Sequence, residues 1–212
     1  MPQNRPFFVS VDGVDGVGKS TQILELKRHL SERGCSVEQV RDPGSSEIGL
    51  RLRELLLETE LTMHRRTEAM LFMASRCELI ESTIRPSLAA GRCVLSDRFL
   101  LSTVVYQSVG DDAASGAEVS PEVLWDLGSL ANGGVRPHLT LLLDMPAAKA
   151  LSRLDRATDR MESRGLDYLE AVRQTFLAQL ERSSDRTAII NADQPLEKVS
   201  ADIRDAVAPL LS

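Results

Sequence analysis

The chain has 212 residues, 42% hydrophobic and 26% charged, a composition that fits one soluble globular domain with a sizeable core. A net charge of −6 argues against a protein that coats nucleic acid or acidic lipid, and no apolar run approaches the length of a bilayer span. Cys35, Cys77 and Cys93 are odd in number and widely spaced, which disfavours a disulfide frame or a zinc site. They read instead as buried or half-buried thiols in a reducing compartment. Residues 1–6 hold no secretory apolar region, so the expectation is a cytoplasmic protein without membrane or nucleic-acid partners.

The first apolar run, Phe7–Asp12, reads as a strand. Directly after it comes Gly13-Val14-Asp15-Gly16-Val17-Gly18-Lys19-Ser20, the pattern G-x-x-x-x-G-K-[ST] of a phosphate-cradling loop. Its glycines let consecutive N–H groups turn inward around a polyphosphate. Lys19 reaches the β- and γ-phosphates, the Ser20 hydroxyl is offered to Mg2+, and Thr21 continues the loop into a helix over Lys19–Arg33. That helix points its positive end at the anion. A strand before the motif and a helix after it are the context the motif requires, so the chain is expected to bind a nucleotide.

Further along, strands are expected at Val37–Arg41, Cys93–Ser96, Leu139–Asp144 and Ala188–Asn191. Helices are expected at Glu47–Leu57, Arg65–Ala89, Pro121–Ala131, Lys149–Leu154, Asp167–Ser183 and Pro195–Leu211, with Asp193 as a cap for the last. Gly34, Gly91 and Gly110 stand where helices stop, and Val109–Ser120 reads as a loop. Strands alternating with helices describe an α/β chain, a three-layer α/β/α kinase-type fold with a five-stranded parallel sheet in a single domain. On the long helix, Met70, Met73, Cys77, Ile80, Ile84 and Leu88 form the expected core stripe. Phe72 and Arg76 then point about 100° away from it, toward another partner.

A phosphate loop alone leaves several classes open. A GTPase would carry N-K-x-D and a transport ATPase an L-S-G-G-Q-like phrase; neither occurs. Instead arginines gather where strands end: Arg41, Arg98, and then Arg153, Arg156, Arg160 and Arg164. Strand C-terminal ends are where ligands bind in open α/β sheets. Several arginines there suit transfer of a phosphoryl group onto a second phosphate, because two anions must be brought together.

These phrases carry a family resemblance. Val9 to Gln22, Arg41-Asp42-Pro43-Gly44, Leu71-Phe72-Met73-Ala74-Ser75-Arg76, Ser96-Asp97-Arg98 through Tyr106-Gln107, and Asp159-Arg160-Met161-Glu162 occur in the order and spacing of thymidylate kinases. The chain resembles that family along nearly its whole length, with the nucleoside monophosphate kinase fold. The resemblance implies transfer from ATP with Mg2+ to dTMP, giving dTDP, and a homodimer through helices Glu47–Leu57 and Arg65–Ala89. It implies that Phe72 stacks on thymine and Arg76 bonds its exocyclic oxygen. Arg98 and Arg41 would hold the acceptor 5′-phosphate, and Pro43 would be a cis proline. Asp97 would join Ser20 at Mg2+, and Asp15 would touch the sugar 3′-hydroxyl. Tyr106 would crowd the 2′-position, with Thr103 and Gln107 near the base edge.

Residues 153–164 resemble the mobile lid. Val17 occupies the loop position where some members carry the catalytic arginine, so the resemblance assigns that task to the lid, with Arg156 and Arg160 favoured. Asp12 and Asp42 stand where Glu is usual, and Ser45-Ser46 where Gly-Thr is common. Two alternatives stay open: a kinase acting on dUMP or thymidine, and a nucleotide-binding regulator without turnover.

Overall fold

The computed structural model describes residues 5–57, 63–110, 119–153 and 165–211. Five strands, β1 (Phe8–Asp12), β2 (Val37–Arg41), β3 (Cys93–Asp97), β4 (Leu139–Asp144) and β5 (Arg186–Asn191), form one parallel sheet in the order β2-β3-β1-β4-β5. β1 and β3 are buried along their whole length, as strands covered on both faces must be. Their residues are correspondingly apolar runs, not alternating ones. On one face α1 (Lys19–Glu32) packs against α9 (Leu196–Val207).

The other face carries a second set of helices. These are α3 (Arg65–Leu79), α5 (Leu100–Ser108) and α8 (Leu166–Gln179), with α2 (Glu47–Leu57) and α6 (Pro121–Asn132) packed on α3. Phe8 is fully buried and meets Phe99 edge-on, centroids 5.0 Å apart, pinning β1 to the start of α5. Chain connections leave β1 in opposite directions, toward β3 and β2 on one side and β4 and β5 on the other. That reversal opens a crevice at the carboxyl end of β1.

Four expectations change. The helix expected over Arg65–Ala89 is continuous but changes pitch: α3 passes through a π turn at Ile80–Ile84 into α4 (Arg85–Ala89). Its buried stripe is rotated, because Met70 is 57% exposed and Cys77 is exposed, while Arg65, Glu68, Phe72 and Arg76 turn inward. α5 was not foreseen. All nine of its residues are buried, so no polar face marks a helical period. Finally, Asp193 does not cap α9; its carboxylate pairs with Lys149 at 2.5 Å and Pro195 holds the cap position. Lys149 lies in the remaining helix, α7 (Ala147–Ser152).

Candidate active site

The loop after β1 is shaped by what its glycines exclude. A Cβ on Gly13 would strike the Leu143 carbonyl, and one on Gly16 would strike the Ala150 carbonyl; both residues also have positive φ. α1 then begins with Gly18 in the left-handed region as its N-cap. No acidic residue sits in the first turn and no side chain caps it. Its first N–H groups and positive pole therefore face the loop mouth, available to an anion. Val17 is buried in the core at 3% exposure, so its side chain does not reach the mouth.

Lys19 lies across this loop. Its ammonium donates to the carbonyls of Gly13 (3.0 Å) and Val14 (2.8 Å) and pairs with Asp15 at 3.2 Å. Burial, with Arg98 nearby, pulls its pKa below the ordinary lysine value. At the next position Ser20 donates to Asp97 at 3.5 Å. These two oxygens are the hard donors that suit Mg2+. Among the described residues no cluster of three or more His, Cys, Asp or Glu could hold a metal ion.

β3 ends in Asp97, in register with both Val11 and Arg41. Arg98 follows with φ 68°, a left-handed backbone that its own hydrogen bonds maintain. One of its terminal nitrogens donates to Gly13 O (2.9 Å) and Ser102 Oγ (3.0 Å). The other donates to Asp15 (2.6 Å) and meets the Tyr106 hydroxyl at 3.4 Å. The guanidinium also lies 5.1 Å from the Tyr106 ring centroid. Burial alone would raise the Asp15 pKa, but Arg98 and Lys19 hold it well below the usual carboxylate range. Burial pushes the Tyr106 phenol up, so it stays protonated.

A second cluster gathers around α3 and the turn after β2. Arg76 is 1% exposed. It donates to Asp42 (2.6 Å), Thr103 (2.5 Å) and the Met73 sulfur (3.1 Å), and lies 5.4 Å from the Phe99 ring centroid. Phe72 sits one turn before it, also buried. Asp42 is delivered by the turn after β2, where the Asp42–Pro43 bond is cis and Arg53 donates to the Pro43 carbonyl at 3.0 Å. Burial raises the Asp42 pKa against the pull of Arg76. One turn before Phe72, buried Glu68 accepts from Gln107 at 3.3 Å. Arg65 holds the Tyr106 carbonyl at 2.9 Å.

Asp15, Lys19, Ser20, Asp97, Arg98 and Tyr106 thus converge at the end of β1, and Phe72, Arg76, Thr103 and Gln107 line up along α3 and α5 beside them. Arg41, opposite Asp97 at the end of β2, is exposed, its backbone N–H bonded to Ser45. Arg156 and Arg160 lie outside the described residues. Arg153 is described; it donates to Ala192 O at 3.3 Å. With Val17, Gly18, Thr21, Gln22, Ala192, Gln194, Leu196 and Val199 it lines a cavity of about 260 Å³ on the far side of the loop. Sequence reasoning left Glu68, Ser102, Arg53 and Arg65 unassigned. The i, i+4, i+8 spacing of Glu68, Phe72 and Arg76 was the available signal for the first of these.

The thymidylate kinase family model matches residues 11–203. The chain is 54% identical over 196 residues to a thymidylate kinase of Rhodopirellula baltica, covering 92% of this chain and 78% of that one. It is 39% identical over 207 residues to a Bifidobacterium longum thymidylate kinase, covering 96% and 98%. A Kosmotoga olearia thymidylate kinase is 35% identical over 198 residues, covering 92% of each chain.

Proposed function

The chain belongs to the thymidylate kinase family, and from that premise we propose the roles of its residues in phosphorylating dTMP to dTDP with ATP and Mg2+. The observation that carries the reading is the meeting of Lys19 and Arg98 on one carboxylate, Asp15. One cation belongs to the phosphate loop and the other to the end of β3, so donor and acceptor phosphates are brought to a common point.

In the proposed mechanism a dTMP phosphate oxygen attacks the γ-phosphorus of ATP. The bond to the bridging oxygen breaks and its electron pair stays on ADP. No general base is needed, since the acceptor is already ionised. The loop N–H groups from Gly13 to Thr21 and Lys19 hold the donor phosphates, while Arg98 with Arg41 orients the acceptor phosphate. Ser20 and Asp97 would hold Mg2+, which would supply charge neutralisation for the phosphates. Phe72, Arg76, Thr103 and Gln107 form the base pocket, and Tyr106 crowds the sugar 2′-position. Arg156 and Arg160, within a lid spanning about 153–164 of a single domain, supply the remaining positive charge. The cavity beside Arg153 and Gln194 is the adenine side.

A coupled ADP-release assay with ATP, Mg2+ and each acceptor tests this. Strong turnover on dTMP, weak on dUMP and negligible on UMP is expected. Turnover on thymidine in place of dTMP would move the acceptor from phosphate to hydroxyl and remove the roles given to Arg98 and Arg41. Silence on every acceptor, with ATP still bound, would make the chain a regulator.

The reading extends to a cytoplasmic homodimer. Cys35, Cys77 and Cys93 are free thiols, and none of the described helices is long and apolar enough to cross a membrane. α2, α3 and α6 pack side by side and expose Ile48, Leu55, Met70, Val123 and Leu130, the last at 81%. Light scattering is expected to give twice the 23.3 kDa chain mass, and Met70→Glu with Leu130→Glu to return the single-chain mass. A wild-type species of single-chain mass would refute the dimer.

A further inference from the structure

We propose that Ser102 is a positioning residue for Arg98, itself oriented by Asp12, so that a buried carboxylate–hydroxyl relay aims the acceptor-phosphate guanidinium. The inference rests on the reading that Arg98 holds the acceptor phosphate.

Arg98 has four oxygen partners, and two of them are shared. Gly13 O and Asp15 Oδ1 are also the oxygens that Lys19 grips. Both lie in the loop that must rearrange its hydrogen bonds around a polyphosphate. Ser102 lies on α5, outside that loop, and its Oγ accepts from Arg98 at 3.0 Å independently of Lys19. The fourth partner, the Tyr106 hydroxyl, is longer at 3.4 Å. Ser102 is therefore the short anchor that persists when the loop changes partners.

A serine hydroxyl rotates and can turn its proton toward a cation as easily as its lone pair. Here the proton is committed: Ser102 donates to Asp12 Oδ1 at 2.6 Å, which leaves lone-pair density for Arg98. Burial raises the Asp12 pKa, while the Ser102 hydroxyl and the charges of Arg98 and Lys19 favour its ionised form. Asp12 is wholly buried at the end of β1, and its second oxygen, Oδ2, has no hydrogen-bond partner among the described residues. A carboxylate so placed is unfavourable for folding alone. Its geometry is explained by the hydroxyl it orients and, through that hydroxyl, by the residue with the left-handed backbone beside it.

The test is steady-state kinetics on full-length Ser102→Ala, Ser102→Thr, Arg98→Ala and the Ser102→Ala/Arg98→Ala double variant, varying dTMP and ATP separately. Loss of one charge-assisted bond is expected to raise the dTMP KM about 10-fold in Ser102→Ala, with the ATP KM within about twofold of wild type. Ser102→Thr, which keeps the hydroxyl, should recover the dTMP KM. In the Arg98→Ala background the serine substitution should add nothing, since its effect runs through Arg98. The relay is overturned if Ser102→Ala leaves the dTMP KM unchanged, if both KM values rise together, or if Thr behaves as Ala. Arg98→Ala separates the layers. An unchanged dTMP KM there sinks the reading of Arg98 itself, whereas a large rise without a Ser102 effect sinks only the relay.

Discussion

Replacing Lys19 with methionine is expected to lower kcat by about a thousandfold while the protein stays folded, measured by ADP release and by the thermal transition. The side chain length is kept, so the loop retains most of its packing. What disappears is the one ammonium that bridges the Gly13 and Val14 carbonyls and lies within 3.2 Å of Asp15. In the free protein those carbonyls can take water instead, so the stability cost is small. In the transition state nothing replaces the charge on the migrating phosphoryl group, and the loss falls on kcat. A variant with kcat within tenfold of wild type would show that lid arginines alone neutralise the transferred group.

Arg76→Ala is expected to have the largest effect on stability. Arg76 and Asp42 pair at 2.6 Å with side chains 1% and 0% exposed. Removing one partner leaves the other buried without compensation, which costs about 3–5 kcal/mol. For a chain of this length that is a fall in Tm of about 10 °C. The variant should also acquire a pH dependence. Burial already raises the Asp42 pKa above 3.8, and loss of Arg76 raises it further. The folded state then binds a proton that the unfolded state releases, so stability falls as pH rises above 3.8 and part of the loss returns on acidification. Arg76→Met with Asp42→Ala removes the orphaned charge and should recover much of the stability without restoring dTMP binding. Equal melting of Arg76→Ala and wild type at neutral pH would overturn the buried-pair account.

Much of this architecture was legible from spacing. The glycine–lysine phrase between an apolar run and a helix located the crevice, and β1, β3 and β4 read as mostly apolar segments because both sheet faces are covered there. What escaped were features that periodicity does not encode. α5, Leu100–Ser108, is buried on every side and so shows no polar face. On α3 the inward stripe carries Arg65, Glu68 and Arg76, residue types that pattern reading assigns to solvent, and the apolar Met70 therefore took their place. The partners of those charges lie far away in sequence. Asp42 is 34 positions from Arg76 and Asp12 is 90 from Ser102, joined only when β1, β2 and β3 come together. Arg156 and Arg160 could be named as lid residues by resemblance, but no spacing argument places them.

The carboxylate shared by Lys19 and Arg98 has a consequence for discrimination. Asp15 is the counter-ion of both cations, so the site carries its own anion. A ligand gains little by meeting two cations already neutralised; it must offer an anion good enough to trade places with a fixed one. Phosphates can make that exchange, and an uncharged nucleoside has nothing to exchange. Discrimination between phosphorylated and unphosphorylated nucleosides is therefore expected to take the form of a competition between anions, and thymidine should compete poorly with dTMP in the ADP-release assay.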